Sequence, residues 1–128
     1  MPRLPQRKSF DIIRLALHGC TNRPFYHIVL TKNTRPRDAP PFEQLGTFDS
    51  MPNIHNEKLV SLDIERIKYH LANNVALSKP VEKLLGLGGL LPVFPMSYTI
   101  AKRNRKKMEA ATNDTEEHLQ EEDTEKSQ

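Results

Sequence analysis

The stretch IIRLALHGCTNRPFYHIVLT, residues 12–31, decides the fold. From Ile12 to Leu17 it alternates, with Ile13, Leu15 and Leu17 on one side and Ile12, Arg14 and Ala16 on the other, the pattern of a half-buried strand. His18-Gly19-Cys20-Thr21-Asn22 reads as a turn. Pro24 leads into a second strand, Phe25 to Thr31, with Tyr26, Ile28 and Leu30 on one face. The spacing of the two strands suits a hairpin.

Downstream, Asn33 to Pro41 is a loop whose prolines, Pro36, Pro40 and Pro41, cannot donate ladder hydrogen bonds. Phe42 to Phe48 reads as a third strand, and Gly46 inside it predicts a bulge or a close backbone approach. Asp49 to Glu57 is turn-rich, and Leu59 to Leu62 is a short fourth strand. The period then changes. Ile64, Ile67 and Leu71 stand at i, i+3 and i+7, one stripe of a helix that Ser61 or Asp63 can cap and Asn73-Asn74 ends. Ser78 and Pro80 open a second helix with Val81, Leu84 and Leu85 inward, stopped by Gly86 and Gly88-Gly89. Short strands and two helices on a small sheet make an α+β domain.

Residues 1–10 read as a loose basic arm. From Leu90 the chain reads as extended, with residues 93–108 as a basic extension ending in Lys102, Arg103, Arg105, Lys106 and Lys107. Residues 109–128 hold no aromatic and almost no apolar residue, too little to offset the entropy of ordering, which predicts a disordered acidic tail.

Charge divides the chain the same way. The 128 residues hold 19 basic and 16 acidic side chains. Residues 1–108 have 18 Lys/Arg and 8 Asp/Glu, a net of +10, whereas residues 109–128 carry a net of −7. A basic body beside an acidic tail points to a polyanionic partner for the body. Hydrophobic content is 37%, low for a self-sufficient core, so a partner is expected to complete its stabilisation. Cys20 is the only cysteine, so an intramolecular disulfide is excluded. The longest apolar run, Leu84 to Met96, is too short for a membrane span and is broken by glycines and prolines. Arg3, Arg7 and Lys8 without an acid are the bias of a mitochondrial targeting segment, although Pro2 and Pro5 oppose the helix such segments form.

Catalytic patterns are thin. Gly86-Leu87-Gly88-Gly89 follows a helix rather than a strand, the wrong context for a phosphate loop. Asp38, Glu43 and Asp49 offer carboxylates for acid–base work, but Arg35 and Arg37 flank Asp38 and no His or Ser partner stands at a recognisable spacing. His18 and Cys20 form a two-ligand fragment, with the other histidines scattered away from zinc spacing. A small nuclease, and a protein adaptor acting through the acidic tail, are the rival functions. The basic residues carry more: Arg14, Arg23, Lys32, Arg35 and Arg37 fall on the first two strands and their loops. Arg23 precedes Pro24, and Arg35-Pro36-Arg37 is stiffened by proline. A guanidinium donates two parallel hydrogen bonds to phosphate, so backbone and groove contacts on RNA are expected. With few aromatics for stacking, single-strand readout is expected less.

Ile13-Arg14-Leu15-Ala16 with Gly19-Cys20-Thr21-Asn22-Arg23-Pro24-Phe25-Tyr26-His27-Ile28-Val29 resembles the opening of the sixteenth protein of the bacterial-type small ribosomal subunit. Arg35-Pro36-Arg37-Asp38, Glu43-Gln44-Leu45-Gly46-Thr47-Phe48-Asp49, and Glu57-Lys58-Leu59-Val60 through Glu65-Arg66-Ile67-Lys68-Tyr69 agree in order, so the likeness covers about residues 11–92. Leu84 to Pro92 with a basic extension is similar to the mitochondrial branch. The resemblance implies a sheet of four or five strands with two helices, a structural role on rRNA of the subunit body, neighbouring ribosomal proteins as partners, no small-molecule substrate and no homo-oligomer. It also implies Cys20 as one ligand of a [2Fe–2S] cluster shared with a neighbouring mitochondria-specific ribosomal protein; an inert turn residue is the alternative. Three departures stand out: Ala39-Pro40-Pro41 where the family has Gly-Arg after the aspartate, His70 where a tryptophan is common, and Asp49-Ser50 in place of Asp-Pro.

Overall fold

The computed structural model describes residues 8–125, with the side chains of residues 114 and 116–125 left aside. Residues 1–7 of the expected arm lie outside the described residues. Lys8 and Phe10 are tied in: Asn33 donates its side-chain amide to the Lys8 carbonyl at 3.1 Å and accepts from the Phe10 N–H at 3.2 Å.

The hairpin forms as its alternation requires. Strand β1 (Asp11–Leu17) pairs antiparallel with β2 (Phe25–Lys32) from Asp11↔Lys32 to Leu17↔Tyr26. Strand β3 (Glu43–Asp49) continues the antiparallel sheet, and β4 (Val60–Leu62) edges it. Opposite β2, Ile28 meets Gly46 while Val29 meets Gln44, so Leu45 is the extra residue of a bulge. Leu45 is buried in the core.

Helix α1 (Ile64–Ala72) starts where the Asp63 carboxylate accepts the Arg66 N–H at 3.1 Å, settling which of the two candidates caps it. Its inward stripe is narrower than expected: Ile67 and Leu71 pack on the core, while Ile64 is 48% exposed. Asn73 and Asn74 end it, the latter at φ 59°. The chain then makes β5 (Ala76–Leu77), which adds to β1 in parallel, and α2 (Lys79–Leu87) follows with Pro80 in its first turn. The sheet order is β4-β3-β2-β1-β5. Gly86, expected as a stop, lies buried inside α2, and the helix ends at Gly88.

Ile13, Ile28, Leu30 and Leu45 from the sheet meet Ile67, Val81 and Leu85 from the helices in one core. Both helices therefore cover the Ile13–Ile28 face, and the opposite face carries Arg14, Ala16, His27 and Val29.

A second compact unit begins at Pro92. Its helix α3 (Pro95–Glu125) replaces the extended path expected from Leu90, so the basic extension, Lys102 to Lys107, is helical. Pro95 sits at the first helical position, where a missing N–H costs nothing. Ala, Met, Lys, Arg and Glu then dominate, all strong helix formers. Helical backbone runs on through most of the acidic segment expected to be disordered. That segment still lacks an apolar stripe with which to pack. None of the described helices is long and apolar enough to cross a membrane.

Candidate nucleic-acid interface

The turn between β1 and β2 is tight for a stated reason. A Cβ on Gly19 would meet the Arg23 carbonyl oxygen and the Phe25 nitrogen, so only glycine lets the chain fold back here. The His18 N–H donates to the Phe25 carbonyl at 2.8 Å, and the Arg23 N–H donates to the Cys20 carbonyl at 3.1 Å. Arg23 thus projects from a braced loop. One of its terminal nitrogens donates to Asp49 at 3.0 Å, and 69% of its side chain stays exposed against 14% for Asp49.

The other basic residues of the hairpin gather at its far end. Arg14 donates to the Pro36 carbonyl at 2.6 Å, drawing the loop after β2 toward the outer face, while its Nε is buried without a partner among the described residues. Arg35 donates to the Pro40 carbonyl at 3.1 Å and lies 4.5 Å over the Phe42 ring. Among the described residues Arg37 pairs only with its neighbour Asp38, at 3.5 Å, with both side chains largely exposed. Lys32 ends β2 and is exposed. Arg23 therefore stands at one end of β2 and Lys32, Arg35 and Arg37 at the other, about 24 Å of strand away, while Arg14, opposite Val29, reaches toward the second group through Pro36. Lys102, Arg103, Arg105, Lys106 and Lys107 are all exposed on α3, in the second unit.

The carboxylates considered for catalysis are occupied otherwise. Asp38 and Asp49 pair with arginines, and Asp49 also accepts the Met51 N–H. Glu43 accepts from Arg66 at 2.7 and 3.0 Å, a two-pronged pair, and lies 2.8 Å from His70 Nε2. This triad clamps the start of β3 to α1. Sequence reasoning missed it because Glu43 stands 23 and 27 residues from its partners, although Arg66 and His70 at i, i+4 announce a shared helix face. His70 is buried there and makes the contact.

Hydrogen bonds from Arg66, then His70, hold the Glu43 carboxyl down to about 2. A folded-state value below the ordinary 4.5 means that ionised Glu43 stabilises the fold above that pH and loses this contribution as pH falls toward 2. Unscreened, the difference is worth about 3 kcal/mol. With Glu43 29% and Arg66 46% exposed, solvent reduces it to about 1–2 kcal/mol. Glu43→Gln should lower stability by that amount at pH 7, and the gap to the parent should close by about pH 2 in urea titrations. An equal gap at both pH values would refute the clamp.

Sequence reasoning also missed a ring stack. His18 and His27 lie parallel, 4.0 Å between centroids and 20° between planes, and Phe25 meets His27 edge-on at 5.8 Å. Burial, and then nearby His18, push the His27 imidazole below its ordinary value. The signal was in the register: β1–β2 pairing puts His18 opposite Phe25 and diagonal to His27.

Cys20 is a free, exposed thiol in the same turn. Among the described residues no group of three or more His, Cys, Asp or Glu side chains is placed to hold a metal ion. The chain offers one sulfur ligand, and a complete cluster site does not fit within it.

Comparison with known proteins gives this geometry its setting. The ribosomal protein S16 family matches residues 17–78, the segment from the end of β1 to the start of α2. A Drosophila melanogaster protein described as small ribosomal subunit protein bS16m is 50% identical over 99 residues, 77% of each chain. A Caenorhabditis elegans protein of that name is 46% identical over 106 residues, 80% of this chain and 72% of its own. A Schizosaccharomyces pombe one is 40% identical over 92 residues, 66% of this chain and 96% of its own. The match to the family over residues 17–78, together with relatives 40–50% identical over two thirds or more of their own length, places the chain in the ribosomal protein S16 family, among the mitochondrial small-subunit members.

Proposed function

We propose that this chain, a mitochondrial small-subunit component and not an enzyme, binds small-subunit rRNA through its phosphates and stabilises that RNA during assembly and translation. The observation that carries the reading is the pair of braced arginine groups at the two ends of β2. Arg23 is held by Asp49, and Arg35 by Pro40 and Phe42, so their forks are ordered before any phosphate arrives. Preordering lowers the entropy cost of each contact. Lys102 to Lys107 add a third basic group. Neighbouring ribosomal proteins are the second class of partner. An apolar groove of about 470 Å³ between β4 and α2, lined by Phe48, Val60, Leu62, Leu84 and Leu87, is the kind of surface a protein neighbour covers. The working form is one copy per subunit, without a small-molecule substrate.

RNA binding should weaken steeply with salt, with a log–log slope of roughly −0.7 to −0.9 per phosphate contact. Removing residues 109–128 takes away a net of −7 and should strengthen binding at low salt. Arg23→Lys and Arg37→Lys should each weaken subunit incorporation, because charge survives but the fork does not. A salt-independent affinity, or Lys variants that sediment with mitochondrial small subunits as the parent does, would overturn the reading. The finer proposal for Cys20 is that it supplies one ligand of a [2Fe–2S] cluster whose other ligands come from a neighbouring protein, since such clusters typically need four. Its support is the exposed thiol and the family resemblance. Subunits carrying Cys20→Ser should lose iron and loosen one neighbour while the isolated fold is unchanged. Unaltered iron content would end that proposal.

A further inference from the structure

We propose that the His18–His27 stack is a platform for an unpaired RNA base, an inference that rests on the RNA-binding role above and adds a mode of recognition to it. The hairpin register places His18, Phe25 and His27 on the outer face of the sheet, away from both helices of the sheet unit. Ala16 lies opposite His27 and is too small to hold its ring away from His18. The edge of Phe25 meets His27 on that same face. His18 is exposed, and among the described residues its ring stacks on no aromatic ring but His27 and makes no hydrogen bond. His27 covers one π face of the outer imidazole, and the residue as a whole stays exposed to solvent.

Burial keeps His27 toward its neutral form, so the inner ring supports the stack without repelling its neighbour. An imidazole lying flat on a second imidazole repeats the arrangement of stacked bases, and a splayed base extends it by one more ring. Arg23 stands in the adjoining turn, exposed and braced by Asp49. It is placed to hold the phosphate of the nucleotide whose base stacks on His18. Both stacked rings of the platform are histidines, with Phe25 edge-on behind them.

The test uses the full chain and two probes: a short single-stranded RNA carrying 2-aminopurine at an internal position, and duplex RNA of the same length. His18→Ala should weaken single-strand binding by about 5- to 100-fold, the effect of one lost stacked base, and leave duplex binding unchanged. His18→Tyr should restore affinity and the quenching of 2-aminopurine fluorescence, whereas His18→Lys should restore neither. Arg23→Ala should weaken both RNAs. Single-strand binding indifferent to residue 18, or rescue by lysine as complete as by tyrosine, overturns the platform while leaving phosphate binding intact. Failure of the parent chain to bind either RNA overturns both readings. The melting temperatures of the His18 variants should equal the parent's, since the ring is exposed.

Discussion

Leu85→Ala should lower the stability of the sheet domain by about 3 kcal/mol, within the range for truncating a fully buried leucine. Leu85 is completely buried, and it joins α2 to Ile13, Ile28, Leu30 and Leu45 of the sheet. It is one of seven buried residues that make up the core, and in a close-packed interior its neighbours only partly relax into the space a truncation leaves. The carbonyl of Leu85 also accepts the Leu90 N–H at 3.0 Å, so a shift of this residue disturbs the end of α2 as well. For a unit of this size, total stability is on the order of 5–10 kcal/mol. The substitution therefore removes about 30–60% of it, and the melting temperature should fall by about 12–20 °C. Leu87→Ala is the control: Leu87 is 70% exposed two residues away, and its loss should change stability by less than about 0.5 kcal/mol. If the two variants melt together, α2 is not packed on the sheet as described.

The parts of the fold that were legible share one property: their cause is local. Alternation from Ile12 to Leu17 and from Phe25 to Thr31 is a period that only a strand uses, and one turn joins the two runs. Ile67 with Leu71, and Val81 with Leu85, mark helix faces in the same way. The pair Ala76-Leu77 is too short to show any period; it becomes β5 because Ile12 and Ile13, more than 60 residues earlier, offer it an edge. Pro92 and Pro95 suggested an extended path, yet proline at the first position of a helix is tolerated, and the sequence that follows favours helix throughout. Gly86 looked like a stop, but its lack of a side chain suits a buried position within α2.

The basic residues could be chosen from the sequence, but not their grouping. Arg23 and Arg35 are 12 residues apart in the chain and lie toward opposite ends of one strand, a consequence of the pairing rather than of spacing. Their partners were equally hidden, because Asp49 reaches Arg23 only after β3 pairs with β2 through Phe25↔Asp49. Glu43, read first as a candidate acid, is a clamp once α1 brings Arg66 and His70 to it. Which residues are basic thus follows from the sequence, whereas how they group follows from register.

Gly46→Ala should be as costly as the core truncation, about 3 kcal/mol or more, although it adds a single methyl group on a strand. A Cβ built on Gly46 lands 2.1 Å from the Ser61 carbonyl oxygen and 3.1 Å from its carbon, both backbone atoms of β4. A flexible side chain could swing aside, but a backbone oxygen moves only with its strand. Strand β4 has three residues and is held by Gly46↔Leu62, Thr47↔Ser61 and Phe48↔Val60, so displacing it endangers all of these pairs at once. The damage continues into α1. The Asp63 N–H donates to the Leu45 carbonyl at 2.8 Å, and Asp63 caps the helix whose Ile67 lies in the core. Overpacking of this kind typically costs 1–3 kcal/mol, and loss of an N-cap adds about 1. Thermal unfolding should show a drop of at least about 12 °C. Amide exchange should speed up at Ser61, Leu62 and Asp63 before it does so in β1 and β2, since the edge opens first. A Gly46→Ala chain that melts within about 2 °C of the parent, with protection at Asp63 unchanged, would show that β4 does not approach β3 this closely.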